Sequence, residues 1–510
     1  MDSTYSYTQK VKNIARHNTL FYAIDMLTTN RNKACCVDRA YVRKVCDYFN
    51  SLDECNEKRE VMKIDMSYIN SWEKLHDSCI GHKRPEDLVV CYLSGPEPQN
   101  DFTELISLGI HPQNIWAFEN NSDAYNMAVD HYNTSSFPQP KIVKGSIEQF
   151  FKHTPKKFDI VYIDACGAIA SEQHCLRIIA SLCKYHRLNS PGIVITNFAS
   201  PDTSKREVLE EYSDLIAKYL IFKKNPNMQV KIENSDIVSE EFINFKQEIM
   251  NDFQKYYGDL VTTCIRDIAS VVVPIQRFTN SMYLKNISEE FATVLNSELN
   301  VQKLNYIKNN SLYKFFYMAK LLKPVGSTEL QNYKRFNTFI KELSGLEDCK
   351  IDILDSFRIL NSLKTNNNIL NSDIRSISDY FKNSNGIYQF LDKPNSNLLF
   401  DLIVNQLAYP LHYNSESIKR YKYKAKKTDM FMDIVVFDEC RYIYEWLPTM
   451  HQIVNAFSNL SWQYVFRFAL DGLVKQRINY NNEYFFQGSV VSKDTEELKS
   501  KLIVDRLTIT

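Results

Sequence analysis

The sequence predicts a doubly wound α/β domain over residues 85–204, on three observations. Five short runs are apolar throughout rather than at every second residue. Segments of helical periodicity separate them. Six of the chain's twelve glycines, Gly81, Gly95, Gly109, Gly145, Gly167 and Gly192, fall within one stretch of 112 residues. Strands buried on both faces read as continuous apolar runs, and their alternation with helices implies right-handed crossovers and a parallel sheet. Glycines mark where backbone turns sharply or lets a ligand approach closely, so the site is expected in the same stretch.

The elements follow in order. Residues 1–84 read as a helical N-terminal region, with Val11, Ile14, Leu20, Ala23 and Leu27 at three- and four-residue spacing. It ends at GHKRPED, where Gly81 and Pro85 punctuate the chain. The apolar runs are LVVCYL (88–93), NIWAF (114–118), KIVK (141–144), FDIVYID (158–164) and GIVITNF (192–198). Between them lie FTELISLG, SDAYNMAVDHY, SIEQFFKH and ASEQHCLRIIASLCKYHRL. Residues 205–510 read as mostly helical, as in EEFINFKQEIMNDFQKYYG and NSLYKFFYMAKLLK, with breaks at 365–373 and at NSNGIYQFLDKPNSN that suggest two subdomains. INYNNEYFFQGSVVS and the final KLIVDRLTIT are candidates for further strands.

At 510 residues the chain exceeds one ordinary core and suits two or three domains. Hydrophobic residues at 44% and charged residues at 24% exclude wholesale disorder. Lys plus Arg equals Asp plus Glu at 61 each, so any attraction to nucleic acid must come from a local patch. No apolar run approaches the roughly 18 residues of a membrane-spanning helix, and the opening residues lack a signal-peptide core. The twelve cysteines are scattered, and Cys91, Cys166 and Cys264 sit in apolar runs where a thiol packs as a small hydrophobe. A soluble, cytoplasmic protein in a reducing compartment, without membrane contact, is expected.

Ligands of an open parallel sheet bind beyond the carboxyl ends of its strands. The first such loop, Ser94 to Asp101, holds one glycine, two prolines and the acids Glu97 and Asp101. It suits an ammonium-bearing ligand better than a pyrophosphate, which needs several glycines and no carboxylates. The second strand ends in Glu119, where a carboxylate can accept both ribose hydroxyls. The third ends in Gly145, Ser146 and Ile147, a turn able to cover an adenine face, and the fourth ends in Asp164. Together they describe a nucleoside with a cationic or zwitterionic tail. The plainer reading of Glu119 and Asp164 is a helix N-cap.

Residues 87–200 resemble the class I S-adenosylmethionine-dependent methyltransferase family, which implies a Rossmann-like methyltransferase domain flanked by a helical N-terminal region and a large, mostly helical C-terminal one. The resemblance implies that Ser94, Gly95 and Asp101 hold the methionine part of S-adenosylmethionine, that Glu119 holds the ribose, and that Ser146 and Ile147 hold the adenine. It implies a catalytic place for Asp164 on the acceptor side. FDIVYIDACGAIAS followed by GIVITNFAS is similar to RNA-modifying members. The family's first loop has alternating glycines, whereas CYLSGPEPQND keeps only Gly95 and stiffens the turn with Pro96 and Pro98.

Two thiol and imidazole groupings, His76, Cys79 and His82 with Cys35, Cys36, Cys46 and Cys55 upstream, and His174, Cys175, Cys183 and His186, lack a paired C-x-x-C, so no metal is expected. The densest positive patch is Lys419, Arg420, Tyr421, Lys422, Tyr423, Lys424, Ala425, Lys426 and Lys427. Its cations could follow a phosphate backbone, RNA or DNA, while its rings stack on bases; the plain alternative is a solvated strand or loop face. The aromatic segment 440–470 reads as core, part of which could serve a protein partner. The expectation is a methyltransferase-like protein that binds S-adenosylmethionine or a related adenosine and moves its methyl group to a nucleic-acid base nitrogen. The alternative, favoured by the altered loop, is a catalytically silent scaffold or sensor in a larger assembly.

Overall fold

A computed structural model of the chain describes residues 10–51, 65–133, 141–170, 175–224, 239–274, 411–445 and 503–510, with a few isolated positions between them. Helices α1 (Lys10–Leu27), α2 (Tyr41–Ser51) and α3 (Met66–Ile80) precede the sheet. The central units are β1 (Val90–Leu93), α4 (Gln99–Ser107), β2 (Ile115–Glu119), α5 (Ser122–Asn133) and β3 (Lys141–Lys144). They continue through α6 (Ile147–His153), β4 (Phe158–Asp164), α7 (Cys175–Lys184), β5 (Leu188–Ala199) and α8 (Arg206–Lys224). A short pair, β6 (Ile232–Glu233) and β7 (Asp236–Ile237), leads to α9 (Glu240–Asn251) and α10 (Phe253–Asp267). The later described elements are β8 (His412–Tyr413), β9 (Lys419–Ala425), β10 (Thr428–Asp438), α11 (Arg441–Tyr444) and β11 (Leu507–Ile509).

The main sheet has nine strands in the order β11-β9-β10-β5-β4-β1-β2-β3, with β8 also paired to β10. Strands β1 to β5 are parallel, as the alternation predicts, and β10 runs antiparallel beside β5. Strand β9 is antiparallel to β10, hence parallel to β5. The sheet is therefore not enclosed by 85–204. Strands β8 to β11, from the region read as mostly helical, complete it, and β11 agrees with the strand expected in KLIVDRLTIT. The long segment between β5 and β9 hid this continuity, because sequence pattern reports local period and not which distant strand pairs with which. The breaks at 365–373 and 383–397, the helix in NSLYKFFYMAKLLK, and most of 440–470 lie outside the described residues.

Alternate strand residues feed opposite faces. Val90, Tyr92, Ile115, Ala117, Ile160 and Tyr162 pack on one side with Ala15, Leu20 and Ala23 of α1 and Phe102 of α4. Cys91, Phe118, Val161, Ile163, Val194 and Phe198 pack on the other with α7, α8 and α10. Cys91 and Cys264 are buried hydrophobes as expected, as are Cys175 and Cys183 of α7. Cys166 departs from expectation. It is exposed, with a left-handed backbone (φ 53°), because the chain turns out of the sheet immediately after Asp164. No described helix is long and apolar enough to cross a membrane.

Candidate cofactor cleft

The strand order reverses between β1 and β4, and the loops that follow them part to opposite faces of the sheet. A cleft of about 330 Å³ opens there, and its walls include Ser94, Gly95, Asp101, Glu119, Ser146, Ile147 and Asp164, every residue proposed from sequence for cofactor and acceptor.

The first loop is pinned to β2 by Ser94, whose amide donates to the Phe118 carbonyl at 3.0 Å. Gly95 follows with φ +60°, a conformation that strains L residues, and a Cβ there would meet nothing within 4 Å. Pro98 caps α4 and brings Asp101 into its first turn. Gly145 has φ +141° and an equally open Cβ position, and its amide donates to the Glu119 carbonyl at 2.9 Å. Both glycines thus leave bare backbone beside the cleft.

Glu119 is not the cap of α5. That role falls to Asn121, whose Oδ1 accepts from the Asp123 and Ala124 amides at 2.9 and 3.0 Å. The Asn121 amide in turn donates to Glu119 Oε1 at 2.7 Å, which orients the carboxylate and leaves Oε2 for a ligand. Ser146 sits at the N-cap of α6 without making a capping bond, so its hydroxyl remains beside the cleft. Ile147 is buried at the base of the same turn. These groups fit the ribose and adenine parts of an adenosyl ligand.

The opposite end differs from the sequence reading. Asp101 is buried, and Arg16 Nε of α1 donates to its Oδ1 at 2.6 Å. Burial pushes the Asp101 pKa up, and Arg16 offsets only part of that rise. The cation inferred to suit this acidic loop is supplied by the protein's own first helix. Lys12, one turn earlier on the same face, places Nζ 3.1 Å from Asp164 Oδ2. Burial opposes the Lys12 charge, but the surrounding negative groups, Asp164 foremost, together outweigh it and raise the ammonium pKa above its ordinary value. Asp164 Oδ1 accepts from Asn197 Nδ2 at 3.0 Å, and the same amide group donates to the Tyr423 hydroxyl at 2.8 Å. Asp164 is therefore bound to α1 and β5 side chains, not to the amides of a described helix. The Tyr162 hydroxyl and Asn197 Oδ1, both buried, have no hydrogen-bond partner in this polar cluster.

Sequence reasoning missed Lys12, Arg16 and Asn197, and it assigned Tyr423 to nucleic acid where the structure places it on Asn197. The only local signal was the pair of cations four residues apart on the helix that carries the buried Ala15, Leu20 and Ala23.

The basic segment divides once it becomes a strand. Arg420 is buried, with Nη2 2.7 Å from Asp259 Oδ1, and Tyr423 is buried on Asn197, so neither can reach a nucleic acid. Lys422 faces Asp429 at 3.8 Å, and Lys419 lies over the Tyr22 ring. Tyr421 is partly buried. Lys424, Lys426 and Lys427 remain exposed at the β9–β10 turn. Because β9 is parallel to β5, that turn lies at the same carboxyl-end rim of the sheet as the cleft.

Fold and cleft define a Rossmann-like α/β domain with an added antiparallel strand. No protein-family model and no curated protein matches the chain. Similar solved structures include a Haemophilus influenzae protein assigned as a methylase, with 15% identity over 27% of this chain and 74% of that one, at a TM-score of 0.19. A Staphylococcus aureus protein assigned as a caffeoyl-CoA O-methyltransferase is similar with 14% identity over 43% of this chain and 88% of that one, at a TM-score of 0.18.

Proposed function

We propose that the chain is a methyltransferase-like protein that binds S-adenosylmethionine and acts on nucleic acid. The observation that carries this reading is the convergence of Gly95, Glu119, Ser146 and Asp164 on one cleft at the reversal of strand order. Bound S-adenosylmethionine supplies an electrophilic methyl group on a sulfonium. Glu119 accepts the ribose hydroxyls, Ser146 and Ile147 border the adenine, and Ser94 and Gly95 border the amino-acid tail. Asp164, held between Lys12 and Asn197, orients the acceptor, a base nitrogen of RNA or DNA. Much of the rate in such a transfer comes from positioning an in-line approach, and a carboxylate fixed from two sides suits that task. Lys424, Lys426 and Lys427 would guide the polyanion along the rim.

Mass spectrometry of small molecules released from the purified chain, followed by calorimetric titration with S-adenosylmethionine, tests the reading. A co-purifying adenosyl compound or saturable binding supports it, and the absence of both removes it. A second reading, a catalytically silent scaffold or sensor, is favoured by one observation: the cleft's two deepest acids are already paired with Arg16 and Lys12. Binding without single-turnover methyl transfer would select it.

A further inference from the structure

At the end of the sheet opposite the cleft, where β10 finishes beside the start of β5, the ligating atoms of Cys36, Asp438 and Cys440 all lie within 4.8 Å of one another, and all three residues are buried. Their sequence separation explains why spacing alone gave no metal grouping: Cys36 follows the first helix, whereas Asp438 ends β10 and Cys440 is the N-cap of α11. We propose that these three residues bind one zinc ion.

The donor set is two thiolates and a carboxylate, a combination that zinc takes with bonds of about 2.3 Å to sulfur and 2.0 to 2.2 Å to oxygen. Tetrahedral bonds of those lengths separate the donors by roughly 3.5 to 3.8 Å, so the group needs only a small contraction. Cys440 carries a left-handed backbone (φ 50°, ψ 41°), and its amide donates to Asp438 Oδ1 at 2.9 Å. The Cys36 amide donates to Asp438 Oδ2 at 2.9 Å. These amide bonds orient a ligating carboxylate from behind. The remaining donors to Asp438 are hydroxyls, Ser190 at 2.9 Å and Tyr442 at 2.6 Å, whose protons would turn to other acceptors once a cation takes the carboxylate lone pairs. Binding releases the two thiol protons to solvent and leaves one net negative charge on the site. The ion would fasten residues 35–37 to the end of β10 and so hold the N-terminal region against the sheet.

The test uses the full chain purified without chelator. Elemental analysis should find about one zinc ion per chain. After the metal is stripped, cobalt(II) should produce a thiolate-to-metal charge-transfer band in the near ultraviolet. The Cys36→Ser, Cys440→Ser double variant should lose both signals while Cys79→Ser keeps them, with circular dichroism checking that each folds. The wild-type cobalt spectrum stands even if the double variant does not fold. Wild type without zinc and without the band overturns the proposal. So does a folded double variant that retains zinc, or a non-reduced wild-type mass showing Cys36 joined to Cys440 by a disulfide.

Discussion

Lys12 of α1 lies 3.1 Å from Asp164 at the end of β4, so the acid expected at the acceptor side is fixed by the first described helix of the chain. With Asn197 on its other oxygen, Asp164 is held in one orientation. Such a group acts chiefly in the transition state. Asp164→Ala should lower single-turnover methyl transfer about a hundredfold or more while changing cofactor affinity less than about threefold. Lys12→Met should have the same signature. Transfer at the wild-type rate in Asp164→Ala would end its catalytic assignment.

Glu119 presents one carboxylate oxygen to the Asn121 amide and the other to the cleft. Charge-assisted hydrogen bonds to ribose hydroxyls contribute on the order of 1.5 to 3 kcal/mol each. Glu119→Ala should therefore weaken adenosyl binding about tenfold or more by calorimetry. Because Asn121 caps α5 independently, helix content should not change. Equal affinity of variant and wild type would take Glu119 out of the site.

Glu73 on α3 joins Arg43 of α2 to Arg39 just before that helix: Arg43 Nε is 2.7 Å from Oε1, and Arg39 Nη1 is 3.3 Å from Oε2. The Arg43 hydrogen bond holds the Glu73 pKa below its ordinary 4.5. A depressed carboxylate pKa means that the unfolded chain binds more protons, so this stabilisation is complete above 4.5 and is lost as pH falls through the lower folded-state value. Glu73→Gln should cost about 1 to 3 kcal/mol at neutral pH in urea unfolding. The gap to wild type should close as the buffer is acidified below 4.5. A gap that stays constant through that range would show that the charge contributes nothing.

The central strands were legible because continuous apolar runs report burial on both faces, and KIVK and FDIVYID coincide with β3 and β4 to the residue. The loops of the cleft were legible because they follow the carboxyl ends of parallel strands, which bring Gly95 and Glu119 to one cleft. What sequence could not show was closure over distance. Arg16 meeting Asp101, Tyr423 meeting Asn197, and β10 meeting β5 join residues 85 to more than 200 positions apart, and no local period encodes such meetings. Cys166 was misread for the opposite reason: its apolar neighbours suggested burial, but a tight turn faces it outward.

Nucleic-acid binding should depend on the turn of the β9–β10 hairpin and not on the whole basic segment. Lys424, Lys426 and Lys427 are exposed at the cleft's rim, whereas Arg420 and Tyr423 are committed to Asp259 and Asn197. Released counterions give a slope of roughly −0.7 per neutralised phosphate on single strands. Replacing the three lysines by Ala should therefore weaken binding and flatten the logarithmic salt dependence by about two units. Tyr423→Phe should leave that slope unchanged, because a buried ring cannot stack on a base. Tyr421, partly exposed, is the one ring of the segment able to do so, and Tyr421→Ala should cost about 1 to 3 kcal/mol if it does. Fluorescence anisotropy with labelled single-stranded RNA and DNA across a salt series provides the measurement. Wild type that fails to bind at low salt, or a triple variant with an unchanged slope, would reduce the turn to ordinary solvated surface.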